Sequence, residues 1–236
     1  VVVIVGDIDV DWTQDRIEAL YGSIPAGPAP PPVNIKEPPQ HGERRVVLRQ
    51  PGTTAYFQAA YHTCSGSDDD AYPMMMLEAI LTGANFGGGT PTHRSARLYK
   101  ALVETEIATY AGVNYQPSID PEPLHFFGTL RDGRNPQEFE TALDAEIEKL
   151  QQEPVADNEL NRVQKQVRAQ LAYTLERVSS QGQWLGLMEM LGGWRQYDNL
   201  ADNLAAVTAA DVQRVAQKYL QPTNRTVGWF EPVTET

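Results

Sequence analysis

The stretch GANFGGGTPTHRSARLYKALVETEIATYAG, residues 83–112, decides how the rest of the chain reads. It opens on a glycine-rich turn, Gly87-Gly88-Gly89, continues as a predicted helix from about Thr92 to Thr105, and ends in a strand predicted over Ala108 to Tyr115. A phosphate-binding loop needs a preceding strand, and a lysine and hydroxyl directly after its glycines. Here Thr90-Pro91 follows, and a Met-rich helix precedes, so nucleotide binding is not the reading. Two readings of the glycines remain. They form a plain turn between helices, or a backbone lying close beside an extended ligand, because glycine has no Cβ to hold a neighbour away.

Toward the N-terminus, Met74-Met75-Met76-Leu77 and Ile80-Leu81 are apolar nearly all round, which predicts a core helix started by the carboxylates Asp68-Asp69-Asp70. Before it, Arg45 to Arg49 and Thr54 to His62 read as strands joined at Pro51-Gly52. The run from Pro25 to Pro39 is proline-dense and extended, the composition of a linker. Val1 to Val5 reads as a β-branched strand buried on both faces, followed by a helix through Ile17, Leu20 and Tyr21. Residues 1–24 are therefore expected to be the tail of a preceding unit, 25–42 the linker, and 43–236 a second unit.

Toward the C-terminus, a strand is predicted from Leu124 to Arg131, then a block of helices. Asn135-Pro136 caps one with Phe139, Ala142, Leu143, Ile147 and Leu150 on its inner stripe. A longer one carries Leu160, Val163, Val167, Leu171, Leu175 and Val178 on one side, and a third runs from Trp184 to Leu191. Thr208 with Asp211 reads as a capping box for a helix through Val212, Val215 and Tyr219, and Arg225 to Phe230 closes as a strand. Strands, then helices, then a strand predict an α+β fold, a mainly antiparallel sheet with helices packed on one face. The chain opens and closes on strands that play the same part, as two copies of one α+β unit would, with only the tail of the first copy present.

Composition narrows the function. Across 236 residues the net charge is −12, against nucleic-acid binding, which needs a basic face. No apolar run is long enough to span a membrane. The single cysteine, Cys64, excludes an internal disulfide and reads as a buried structural thiol. The four histidines, His41, His62, His93 and His125, include no pair four residues apart, so the HxxEH zinc motif is absent. Glu138, Glu140, Glu146 and Glu148 read as a solvated helix face, and no Gly-x-Ser-x-Gly elbow occurs. The residues alone describe a folded domain with no visible catalytic centre and no metal site.

The order of the segments adds a resemblance. Residues 83–112 resemble the stretch of pitrilysin/insulinase (M16) zinc peptidases in which a glycine turn leads into a Ser-Arg-Leu-aromatic helix and a strand bearing a tyrosine. Val3 to Gly22 is similar to the closing strand and helix of that family's first domain. Leu160 to Trp194, including LERVSSQGQWLG, and VTAADVQRVAQKYL at Val207 to Leu220 resemble the late helices of the second. The resemblance implies the C-terminal, non-zinc-binding domain of a peptidase, with zinc held by an HxxEH-bearing partner domain or subunit and none bound here. It implies peptide binding at Gly87, Gly88, Gly89 and Tyr110. The family's second domain holds substrate with an arginine and a tyrosine seven residues apart, which fall here on Val103 and Tyr110. The tyrosine is kept and the arginine is not. The implied partners are that homologous domain and a peptide, with no nucleic acid and no membrane insertion. Two functions stay open: half of a peptidase that needs its partner to hydrolyse peptides, or a catalytically inactive structural subunit.

Overall fold

The computed structural model describes residues 1–29, 31, 37–84 and 93–233. The strands are Arg44–Pro51 (β1), Tyr56–Tyr61 (β2), Ala108–Asn114 (β3), Leu124–Leu130 (β4) and Arg225–Val233 (β5). They form one sheet in the order β1-β5-β2-β4-β3. Every pairing is antiparallel except β1 with β5. The strands on either side of Pro51-Gly52 therefore do not pair with each other, because the C-terminal strand inserts between them. Burial explains the order: β5 alternates buried Arg225, Val227 and Trp229 with half-buried neighbours, whereas β1 is exposed along its whole length and takes the edge.

Helices pack on one face of this sheet. Ala71–Leu81 (α2) is buried nearly all round, as its apolar sequence requires. In Pro136–Gln152 (α3) the Asn135 side chain accepts from Gln137 N at 2.9 Å, and Phe139, Leu143, Ile147 and Leu150 turn inward. Asp157–Leu175 (α4), Val178–Leu191 (α5), Gln196–Ala206 (α6) and Ala209–Tyr219 (α7) complete the layer, the last opened by the Thr208–Asp211 capping box. Between layers lies an aromatic core: the Phe57 ring is 4.8 Å from that of Phe139 and 5.0 Å from that of Trp229. Phe139 fits only because β4 has no side chain beneath it. A Cβ on Gly128 would stand 2.3 Å from Phe139 Cζ. Phe139 is itself 1% exposed and has nowhere to move, so Gly128→Ala is expected to destabilise the fold by about 2–3 kcal/mol in urea melts.

Several local expectations need correction. Val1–Ile4 are exposed and Val5 half-buried in a segment outside the sheet, with Val3 and Val5 beside Gly186 and Gly182 of α5. A β-branched run becomes a strand only where a ladder partner is offered, and the sheet offers it none. The helix Val10–Tyr21 (α1) forms as expected, capped by Asp9, but buries none of its side chains. The helix predicted over 92–105 is shorter: Thr92 lies outside the described residues, and among those described helical backbone begins only at Arg97 and ends in a π-helical turn, Tyr99–Val103. The long helix breaks at Arg177, whose backbone is extended, so Val178 opens α5 instead of ending α4. The helix α6 has only Leu200 and Leu204 buried, too sparse a pattern to read from sequence. Glu140 is not solvated; it is 5% exposed and accepts hydrogen bonds from Trp229 Nε1 at 2.6 Å and from Arg45.

Candidate functional site

Among the described residues, the helix layer covers one face of the sheet and leaves the other open. Cross-strand neighbours share a face, so the registers give the open surface row by row. Leu48, Phe230, Tyr56, Thr129 and Tyr110 cross the sheet in one row. Val46, Gly228, Gln58, Phe127 and Gly112 form the next, and Arg44, Thr226, Ala60, His125 and Asn114 the third. Two aromatic pairs stand on it, Tyr56–Phe230 at 6.0 Å between ring centroids and the stacked pair Tyr110–Phe127 at 5.6 Å.

Alternation along β3 puts Tyr110 on this open face, with Gly112 and Asn114. Ala111, Val113 and Tyr115 are buried toward the helices. Thr109 is the exception. A register shift between Ala108 and Tyr110 leaves it exposed, with its hydroxyl donating to Thr129 O at 3.2 Å. Gly112 makes room for the stacked pair, since a Cβ there would stand 2.7 Å from Phe127 Cε2 and 3.3 Å from the Tyr110 hydroxyl. That hydroxyl is screened from water and has no hydrogen-bond partner among the described residues. A polar group in that state costs about 1–3 kcal/mol, and a peptide carbonyl reaching it would accept its proton. Val103 ends the π-helical turn and packs half-buried against the core, where it offers no donor. Gly87, Gly88 and Gly89 lie outside the described residues, so Tyr110 is the sequence-predicted site residue whose surroundings are defined.

The free edge of β3 is partly closed. Val113 N donates to Thr82 Oγ1 at 2.8 Å, a side chain from the end of α2 standing where another strand's carbonyl would bind. Beneath the same strand end sits Glu78, 8% exposed. Burial pushes its carboxyl up to about 8, against hydrogen bonds from the Tyr115 backbone N–H and the Asn114 side chain that favour the ionised form. Sequence reading passed over this residue. Its signal was a lone glutamate in the apolar run MMMLEAIL.

The remaining titratable clusters join elements. Asp70 makes no side-chain cap for α2. It accepts instead from Lys218 Nζ at 2.6 Å and the Tyr219 hydroxyl at 2.7 Å, and from Arg214. Burial opposes its charge, but these donors outweigh burial and hold the carboxyl down at about 2. Arg225 binds Glu43 at 2.7 Å through Nε, and also Asp144 and the Tyr61 hydroxyl, tying β5 to the segment ahead of β1 and to α3. Cys64 is 6% exposed beside the Tyr115 hydroxyl, and burial pushes its thiol up, away from a reactive thiolate. Among the described residues no three His, Cys, Asp or Glu side chains converge into a metal-binding group, so these residues do not fit a zinc ion.

No curated protein matches the chain in sequence. Among solved structures, it is similar to a protease from Helicobacter pylori, with a TM-score of 0.87 and 18% identity over 97% of this chain and 54% of that one. It therefore spans about half the length of that relative. The inactive peptidase domain of a candidate zinc protease from Bordetella parapertussis aligns at 28% identity and a TM-score of 0.64, over 80% of this chain and 96% of that one. A chain of complex III2 from Candida albicans shares the fold at 18% identity and a TM-score of 0.73, over 95% of this chain and 53% of that one. The family model described as the peptidase M16 inactive domain matches residues 1–167. With a helix-backed, mainly antiparallel sheet and a family match over most of its length, the chain belongs to the peptidase M16 inactive domain family.

Proposed function

We propose that this chain is the substrate-binding, non-catalytic half of a zinc metalloendopeptidase, working with an HxxEH-bearing homologous domain or subunit that holds the zinc. The observation that carries this reading is the Tyr110 hydroxyl, buried beside Phe127 without a partner among the described residues, on the face of the sheet away from the helices. A phenol there donates a hydrogen bond to a peptide carbonyl, and gains strength as negative charge develops on that oxygen during hydrolysis. Gly87, Gly88 and Gly89 are proposed to lie beside the same peptide. Residues 1–24 are proposed to be the tail of a preceding homologous domain, 25–42 a linker, and 43–236 the domain proper. Support for that division comes from α1, whose Val10, Leu20 and Tyr21 are more than half exposed, and from the unpaired Val1–Val5 segment.

A second reading, an inactive structural subunit, draws on Val103, which supplies no guanidinium beside Tyr110. One assay separates the two. The chain alone is expected to leave a fluorogenic peptide intact, and to support chelator-sensitive turnover when combined with an HxxEH-bearing partner domain. In that assembly Tyr110→Phe removes only a hydroxyl, and is expected to lower kcat by about 100-fold with no fall in melting temperature, since the hydroxyl it deletes is an unpaired buried donor. Wild-type turnover by the variant makes Tyr110 a packing residue and the chain a scaffold.

A further inference from the structure

At the end of the open face, beyond Asn114 and His125, the sheet gives way to a groove of about 410 Å³ between the β3–β4 connection and α5. One wall is the connection itself, bearing Pro117, Ile119 and Pro123, and the other is Leu187, Met190 and Leu191 of α5. Both walls are held in place. Gly66 N donates to Ser118 O at 2.7 Å, and the Thr63 hydroxyl donates to Glu122 O. A Cβ on Gly66 would stand 2.9 Å from both Leu191 Cδ1 and Pro117 Cβ, so at Gly66 the connection and α5 meet in close contact. Yet the groove above that contact is not collapsed. Ile119 is 56% exposed and Met190 53%, facing one space from opposite walls. Apolar side chains fixed apart by a rigid frame stay in water until a ligand covers them.

We propose that this groove is a specificity subsite that takes one large apolar side chain, leucine, methionine or phenylalanine, of an extended peptide lying on the open face. The proposal rests on the peptide-binding reading of Tyr110. Continuity with that face identifies the occupant: Asn114, on the groove's rim, lies four residues along β3 from Tyr110. At about 3.3 Å per residue that is roughly 13 Å, the span of four residues of an extended peptide. Asn114, His125 and Glu122 at the mouth offer partners to peptide N–H and C=O groups while the apolar walls take the side chain. The subsite therefore reads a residue about four positions away from the one at Tyr110, on one side of it.

The test is fluorescence anisotropy with the full chain and a set of labelled peptides in which leucine or aspartate is moved through each position. Wild type is expected to prefer leucine at one position by at least about tenfold, the effect of burying one large apolar side chain. Ile119→Asp and Met190→Asp, at surface positions where the melting temperature should hold, are expected to erase that preference while other positions keep theirs. Binding that Tyr110→Phe weakens, with a leucine preference that both aspartate variants leave intact, overturns the groove and spares the face. Absence of any peptide binding overturns both.

Discussion

Glu78→Gln is expected to raise the stability of the fold by an amount that grows with pH. The carboxyl titrates near 8 in the folded chain, where burial favours its neutral form, against an ordinary value of 4.5 when unfolded. A raised folded value means its contribution is fully present below about 4.5 and is lost as pH rises through about 8. Glutamine keeps the shape and one acceptor without titrating. The variant and wild type should therefore nearly coincide in urea melts at pH 4.5. Above pH 8 they should differ by on the order of 4 kcal/mol, with most of that present at pH 7. Equal differences at both pH values would mean that Glu78 is not a buried neutral acid. The site has a stake in the outcome, because Glu78 holds the side chain of Asn114 at the mouth of the groove.

Glu140→Ala is expected to cost about 3 kcal/mol at neutral pH. Its carboxylate satisfies the Trp229 indole N–H, which is buried in the core, and anchors Arg45 of the edge strand to α3. Removing it strands the indole donor, a loss of about 1–3 kcal/mol, and empties the space of a packed side chain. Arg45 adds little to the cost, because its side chain is 47% exposed and water can solvate it. Glu140→Gln retains an acceptor for Trp229 and should cost about half as much. A loss below about 1 kcal/mol for the alanine variant would show that the buried Trp229 indole does not depend on this carboxylate.

The helices with strong local patterns were legible in the sequence. The Met-rich α2, the Asn135 cap of α3 and the capping box of α7 are all written in neighbouring residues. So was the face of Tyr110, since alternation along a strand needs no knowledge of its partner. What escaped depends on distant contacts. Nothing within RVVLR shows that it pairs with the C-terminal strand, parallel, and not with the strand that follows it. Glu140 looks like any other acidic residue of α3 until Arg45 and Trp229 arrive from two strands. Val1–Val5 has the composition of a buried strand but not the ladder. The groove beside α5 was invisible for the same reason: its walls are brought together only by the fold.

The central claim is that peptide binds the uncovered face of the sheet at Tyr110. Backbone and aromatic NMR shifts during titration with an unfolded peptide test it directly. The account predicts saturable changes at Tyr110, Gly112, Phe127, Gln58 and Tyr56, with α3, α4 and α7 unmoved. Changes confined to the helical layer, or none at saturating peptide, would contradict it.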